Sequence, residues 1–313
     1  MKTLALFFTY GASLENWDKT GSLNREINIY RKLSKYFDKI FFVTYGKNDF
    51  RYAQQLPSNI IILPKKINVN NFLYSFLLLF LYRKEFAEST WIKTNQMIGS
   101  WSAVLAKLLF KKKYKQQNIH VIPNGIDTQI FKPMSEKFFS EKIRLFFVGR
   151  LHPEKNIENL LEAINNLKNI TIKIIGQGPL EKNILKFKKK YDLDLELISS
   201  IPNNELPRIY AMADIYIQPS LYEGNPKTIL EAMSCGLPVI ATSVDGIKNI
   251  IKHKENGYLC ETGIKSIESA IMEVIANKNL KENMAINARK FVEENYNLDI
   301  IIRKESEIYR NNE

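Results

Sequence analysis

Short apolar runs alternate with amphipathic segments along the chain, the pattern of strands leading into helices. In the first part, strands are expected near residues 3–9, 39–45, 59–63, 90–93 and 119–122, and helices near 22–37, 70–86 and 98–112. The second part opens with the strand RLFFVG at 144–149. The segment NIENLLEAINNL (156–167) then sets Ile157, Leu160, Leu161, Ile164 and Leu167 on one stripe at helical spacing. TIKIIG, LELI, DIYIQPS and PVIAT (238–242) read as further strands, and the chain from about 264 is largely helical. This alternation predicts α/β architecture with mainly parallel sheets.

One helix start stands out. In LYEGNPKTILEAMSCG (221–236), Pro226 is expected to open a helix and Gly236 to close it, with Pro238 just beyond. Ile229, Leu230, Met233 and Leu237 share one face, Glu231 is expected roughly opposite it, and Glu223 sits in the loop before. A domain boundary is expected between PNGIDTQIFKP (123–133) and the strand at 144, because MSEKFFSEK is polar and carries no strand pattern.

Composition narrows the function classes. A chain of 313 residues, 45% of them hydrophobic, can bury the cores of two domains. Cys235 and Cys260 have neither metal-ligand spacing nor a disulfide framework, which fits a reducing compartment and two isolated buried thiols. MKTLALFFTYG reads as a buried first strand rather than a signal peptide. FLYSFLLLFLY (72–82) is too short to cross a hydrocarbon core, which needs about 20 helical residues; it suits a buried helix or one touching a membrane surface. No transmembrane anchor is expected. Charge is uneven: residues 1–125 hold 19 of the 45 Lys and Arg but only 7 of the 33 Asp and Glu, leaving 26 of each sign after them. The basic first part therefore has its own reason for its charge. His120, His152 and His253 lack the neighbours for a metal cluster or a nucleophilic triad, and nothing beyond charge points to nucleic acid.

Candidate chemistry gathers in loops that follow strands, where doubly wound sheets bind ligands. VGRLHPEKN (148–156) offers Arg150 and Lys155, a planar fork and a point charge suited to a diphosphate; a solvated charged loop explains the same residues equally. IIGQGPLEKN (174–183) resembles half a glycine-rich phosphate loop, with Pro179 opening its helix; a tight turn explains the same residues. The start of the helix after Pro226 favours an anion. Glu223 beside such a site suits a ligand with hydroxyls as well as phosphates. Glu231 could equally be half of a surface pair with Lys227.

From PNGID through VGRLHPEKN, IIGQGPL, ADIYIQPSLYEGNPKTILEAMSCGLPVIAT and the NGYL turn, the chain resembles family-4 (group 1) retaining glycosyltransferases over about residues 120 to 295. The spacing of Glu223 and Glu231 matches the family's E-x7-E motif. The resemblance implies the GT-B fold, two Rossmann-like domains facing across a cleft, here with the N-terminal domain shorter than usual. It implies an acceptor-side domain over 1–130, a nucleotide-sugar-binding domain over 131–296, and a helix over 297–313 returning to the first. It also implies retaining transfer of a sugar from a nucleotide-diphosphate donor, with neither metal nor cofactor. By the same resemblance, Arg150 and Lys155 hold the donor diphosphate, and Glu223 lies beside the donor sugar. Gly224, Asn225, Pro226, Lys227 and Thr228 supply backbone contacts, Glu231 holds the ribose hydroxyls, and the loop around Ile201 meets the base. Gly11 and KTGSLNRE match the loop approaching the phosphates from the other domain.

The first part departs from the family pattern, passing from Lys113 through YKQQN directly into HVIPNG. KTNQMIGSW (93–101) lacks the histidine many relatives carry after a middle strand. The expected protein is a cytoplasmic transferase, peripheral on the inner face of the membrane, acting on a cell-envelope glycan or lipid-linked acceptor. Its basic first domain would dock on an anionic membrane surface. The alternative is a non-catalytic nucleotide-sugar-binding subunit with an incomplete acceptor domain.

Overall fold

The computed structural model describes residues 2–95, 100–110, 122–134 and 140–311. The chain forms two compact units, one of residues up to Ile122 together with those from Ile302, the other Pro123–Ile301.

The first unit runs β1 (Thr3–Phe7), α1 (Leu14–Lys19), α2 (Leu23–Leu33), β2 (Lys39–Val43), β3 (Ile60–Leu63), α3 (Asn71–Leu81), α4 (Arg83–Glu88), β4 (Trp91–Thr94) and α5 (Trp101–Leu109). Its strands pair in parallel in the order β3-β2-β1-β4. Side chains alternate across this sheet. Ala5, Phe7, Phe41 and Val43 pack under α3, α4 and α5. On the other face, Phe42 meets Tyr30 of α2 edge to face. The buried run of β1 agrees with the strand expected there. Helix α1 was not foreseen: it is only six residues long, started by Ser13, whose hydroxyl accepts from the Asn16 N–H. Of the strand expected near 119–122, all but Ile122 lies outside the described residues, as do His120 and the lysines at 111–115.

The second unit runs β5 (Ile143–Val148), α6 (Ile157–Asn165), β6 (Ile170–Ile175), α7 (Glu181–Tyr191), β7 (Leu195–Ile198), α8 (Leu206–Met212), β8 (Ile215–Gln218), α9 (Lys227–Ser234), β9 (Val239–Thr242), α10 (Asp245–Lys248), β10 (Tyr258–Cys260), α11 (Ile264–Ala276) and α12 (Lys278–Asn295). The strand order is β10-β9-β8-β5-β6-β7, all parallel. This is the doubly wound dinucleotide-binding order, with its reversal between β5 and β8. Leu145 and Phe147 enter the core shared with α6, α7 and α11, while Phe146 enters the one shared with α8, α9 and α12. The expected stripe of α6 is buried from Ile157 to Ile164. Cys235 and Cys260 are free and buried.

The segment 123–130, which the sequence assigned to the first domain, packs in the second unit. Ile126 bridges to Asn297, and Phe131 lies in the core beside Tyr210. The Arg289 guanidinium gathers the carbonyls of Thr128, Phe131 and Ser234, so the segment is tied to α9 and α12. The last helix, α13 (Leu298–Asn311), starts in the second unit and belongs to the first from Ile302. There Glu305 pairs with Lys93 of β4 and accepts from the Tyr309 hydroxyl at 2.8 Å.

Candidate functional site

Two loops leave the sheet on either side of its reversal point, one after β5 and one after β8, and they are fastened to each other. The Leu221 N–H donates to the Glu154 carbonyl at 2.8 Å. Asn156, in a left-handed conformation with φ 55°, donates its amide to the carbonyls of Pro219 (3.0 Å) and Thr262 (2.9 Å). Asparagine tolerates that backbone and satisfies the buried carbonyls in one step.

Across this seam Lys155 Nζ meets Glu223 Oε1 at 2.5 Å, with side chains only 12% and 10% exposed. The same oxygen accepts from Gln218 Nε2 and Ser220 Oγ, each at 2.8 Å. Behind it, Tyr216 donates to Gln218 Oε1 and Thr242 to the Ser220 carbonyl. Burial holds the Tyr216 hydroxyl well above the ordinary tyrosine range, keeping it a donor. Three donors on one carboxylate oxygen fix Glu223 in place.

Arg150 takes a different partner from Lys155. It is 79% exposed and reaches Glu154 at 3.4 Å. Burial works to raise the Glu154 carboxyl, but its own backbone N–H, His152 and Arg150 outweigh it and hold the group below the usual range. The loop thus offers one oriented, screened cation and one exposed cation.

The helix that follows differs from expectation by one residue at its start. Pro226 is its N-cap, with extended ψ of 102°, and the first helical residue is Lys227. At its end, Gly236 adopts φ 68°, its N–H donates to Met233, and the Leu237 N–H donates to Ala232. That pair of bonds is a Schellman motif, so Gly236 closes the helix as its composition suggested. Glu231 corrects the sequence reading more substantially. It is fully buried, not opposite the apolar face in solvent, and its Oε2 accepts from the Tyr210 hydroxyl at 3.2 Å. Burial followed by Glu231 raises the Tyr210 pKa well above its usual value. A solvated surface pair is therefore excluded for Glu231.

Gly224 and Asn225 are exposed, and a Cβ at Gly224 would meet no atom within 4 Å. The close approach lies instead at Gly246, where a Cβ would stand 2.1 Å from the Glu223 carbonyl oxygen and 2.4 Å from that of Gly224. Asn124 supports the loop from its other side, donating to the Asn225 carbonyl at 3.0 Å. The Thr228 carbonyl accepts from Tyr210 at 3.2 Å. Ile201, after β7, is half-buried against the core beneath α8 and α9.

IIGQGPL serves a structural end. A Cβ at Gly176 would lie 1.8 Å from the Gly149 carbonyl oxygen, and one at Gly178 2.3 Å from that of Leu151. These glycines let the loop after β6 lie on VGRL, joined by the Leu151 N–H to Gln177 and the Leu180 N–H to Leu151. The helix begins at Glu181, beyond Pro179. The structure thus brings together Lys155, Glu223 to Thr228 and Glu231 in one unit, with Arg150 exposed on the same loop as Lys155. Gly11 lies in the first unit with φ 75°. Sequence reasoning missed Gln218, Ser220, Thr242 and Gly246; the polar residues of DIYIQPS, facing an acidic loop, were the available signal.

The sequence profile of the Glycosyl transferases group 1 family matches residues 129–291. An Escherichia coli UDP-Gal:alpha-D-GlcNAc-diphosphoundecaprenol alpha-1,3-galactosyltransferase is 31% identical over 256 residues, 71% of this chain and 66% of that protein. The chain thus spans less than two thirds of that relative, and about half of several others. Among solved structures, a sucrose-phosphate synthase from Thermosynechococcus elongatus matches with TM-score 0.80 at 16% identity, covering 99% of each chain. Anabaena HepE in complex with UDP and glucose matches with TM-score 0.79 at 14% identity, covering 99% of this chain and 100% of that one. These likenesses carry the fold, the GT-B arrangement of two Rossmann-like units, the first with a smaller described sheet.

Proposed function

Because the chain belongs to the glycosyl transferases group 1 family, we propose that it transfers a sugar, with retention and without a metal, from a nucleoside-diphosphate donor to a cell-envelope glycan or glycolipid. The observation that carries this reading is the Lys155–Glu223 pair at the reversal point between β5 and β8, beside the start of α9. In transfer, the bond from the anomeric carbon to the diphosphate oxygen breaks and a bond to an acceptor hydroxyl forms. Negative charge then grows on the departing diphosphate. Lys155, held by Glu223, Arg150 on its exposed loop and the first turn of α9 supply fixed positive charge for it. Glu223, anchored through one oxygen, takes the hydroxyls of the donor sugar. Glu231 takes the ribose hydroxyls and the loop at Ile201 the base.

The Escherichia coli relative is named for a UDP-sugar donor and a lipid-diphosphate acceptor, which supports the same classes here. No helix among the described residues is long and apolar enough to cross a membrane. We place the protein at the inner face of the membrane, attached through its basic first unit. A second reading, a nucleotide-sugar-binding protein without turnover, draws on the four-stranded sheet described in that unit.

Thermal unfolding of the full chain with UDP, GDP, ADP and CMP tests the donor class. One nucleoside diphosphate at a hundred times its dissociation constant is expected to stabilise by about 2.7 kcal/mol. No shift with any of them contradicts the reading.

A further inference from the structure

The first unit carries its own cations at the carboxyl ends of its strands. Lys47 follows β2 and Lys65 follows β3, neighbouring strands in register at Val43 and Leu63. Their loops are joined by the Lys65 N–H to the Gly46 carbonyl, and that of β2 to the loop after β1 by the Tyr45 N–H to Ala12, each at 3.0 Å. Lys65 Nζ donates to Asn71 Oδ1 at 2.8 Å, and Lys47 Nζ to Asn68 Oδ1 at 2.7 Å. Neither ammonium has a carboxylate partner among the described residues. Asp49, close in sequence, accepts instead from the Leu14 and Glu15 N–H groups. Lys65 is half-buried, and burial, followed by repulsion from Lys47, lowers its pKa. Asn71 is also the first residue of α3, whose first turn adds partial positive charge. Lys47 is exposed. Each ammonium is hydrogen-bonded to an amide oxygen, Lys65 also lying 5.4 Å from the Tyr74 ring centroid, and neither is neutralised, so both are stabilised by an anion brought by a ligand.

The same place opens onto an apolar surface. Phe72, Phe76 and Phe80 of α3 and Val104, Leu108 and Leu109 of α5 are exposed, Phe80 at 68% and Leu108 at 67%. The two helices are pinned together by Trp101 Nε1 donating to Ser75 Oγ at 3.0 Å and by Ser102 Oγ to the Ser75 carbonyl at 2.9 Å. Trp101 also lies tilted against Tyr10, whose ring meets that of Tyr45, so one side chain borders both the cationic loops and the apolar helices. Exposed apolar side chains on two packed helices mark an interaction surface. Their place in the part of the chain with 19 basic and 7 acidic residues selects an anionic partner.

We propose that the first unit receives the acceptor as a lipid phosphate, its phosphate or diphosphate on Lys47, Lys65 and the start of α3, and its hydrocarbon along α3 and α5. The proposal rests on the glycosyl-transfer reading and names its acceptor class. The test is sedimentation of the full chain with three vesicles: neutral phosphatidylcholine, the same with a few per cent polyprenyl phosphate, and the same with an equal fraction of phosphatidylglycerol. Wild type is expected to favour the polyprenyl-phosphate vesicles by about tenfold or more over both others, the scale of lost charge-assisted contacts. The Lys47→Gln/Lys65→Gln protein should lose that preference, and Phe76→Ser/Leu108→Ser should bind all three poorly. Thermal stabilisation by UDP, read on each protein, reports folding and the donor reading separately and should be unchanged. Equal binding of wild type to polyprenyl-phosphate and either other vesicle overturns the proposal, as does a preference that survives in Lys47→Gln/Lys65→Gln.

Discussion

Arg150 and Lys155 look alike in sequence and differ in the folded chain. Lys155 is screened and committed to Glu223, whereas Arg150 is exposed and reaches only Glu154, at 3.4 Å. Arg150→Ala is therefore expected to weaken nucleoside-diphosphate affinity by about 1.5–3 kcal/mol without lowering the melting temperature. Calorimetric titration of nucleoside against nucleoside diphosphate checks this, because the nucleoside should bind both proteins alike. Glu231→Gln is expected to weaken the nucleoside itself, since the buried carboxylate is assigned to ribose; unchanged nucleoside affinity removes that role. The burial of Glu231 was not legible from helical spacing. A wheel drawn on Ile229, Leu230 and Met233 supposes one solvated face, but α9 lies between the sheet and α12, so Ile229 to Ser234 are all buried. Gly246 was equally hidden, because the carbonyls it must clear belong to residues more than twenty positions away.

At the scale of elements, hydrophobic periodicity carried most of the fold. Each strand expected in the second part is present within a residue or two, because a parallel strand covered on both faces reads as an apolar run. What periodicity could not supply was the packing of one loop on another. GQG reads as a phosphate loop until its glycines are found against the backbone of VGRL. Tertiary electrostatics also bind the elements: Arg144 at the start of β5 holds Asp214 before β8 through Nε and Nη2, both at 2.9 Å, and its backbone N–H adds a third bond at 2.9 Å. Burial raises the Asp214 carboxyl, but these bonds outweigh it and leave its pKa below the usual value. A depressed carboxyl contributes stability above its unfolded pKa, near 3.9, that is lost as pH falls through the folded value. Asp214→Asn is expected to lower stability at pH 7 by about 1.5–3 kcal/mol and to flatten the acid limb of a pH–stability curve. An acid limb identical to wild type would refute the role of this pair.

For the whole molecule, the charge split seen in the sequence and the described structure divide the chain at nearly the same place. The basic, apolar-faced unit takes the residues up to Ile122 together with those from Ile302, and the charge-balanced unit takes Pro123–Ile301. In our account donor chemistry gathers in the second and the acceptor is received by the first. The central claim is that Glu223, held by Lys155, Gln218 and Ser220, acts on the donor sugar during transfer. The direct measurement is the rate of nucleoside diphosphate release by the full chain from the sugar nucleotide it binds, in the presence of a lipid-phosphate extract. The account predicts release by wild type, and release slowed by about 100-fold or more in Glu223→Gln, which should still bind the nucleoside diphosphate with near wild-type affinity. Release at the wild-type rate from Glu223→Gln contradicts it.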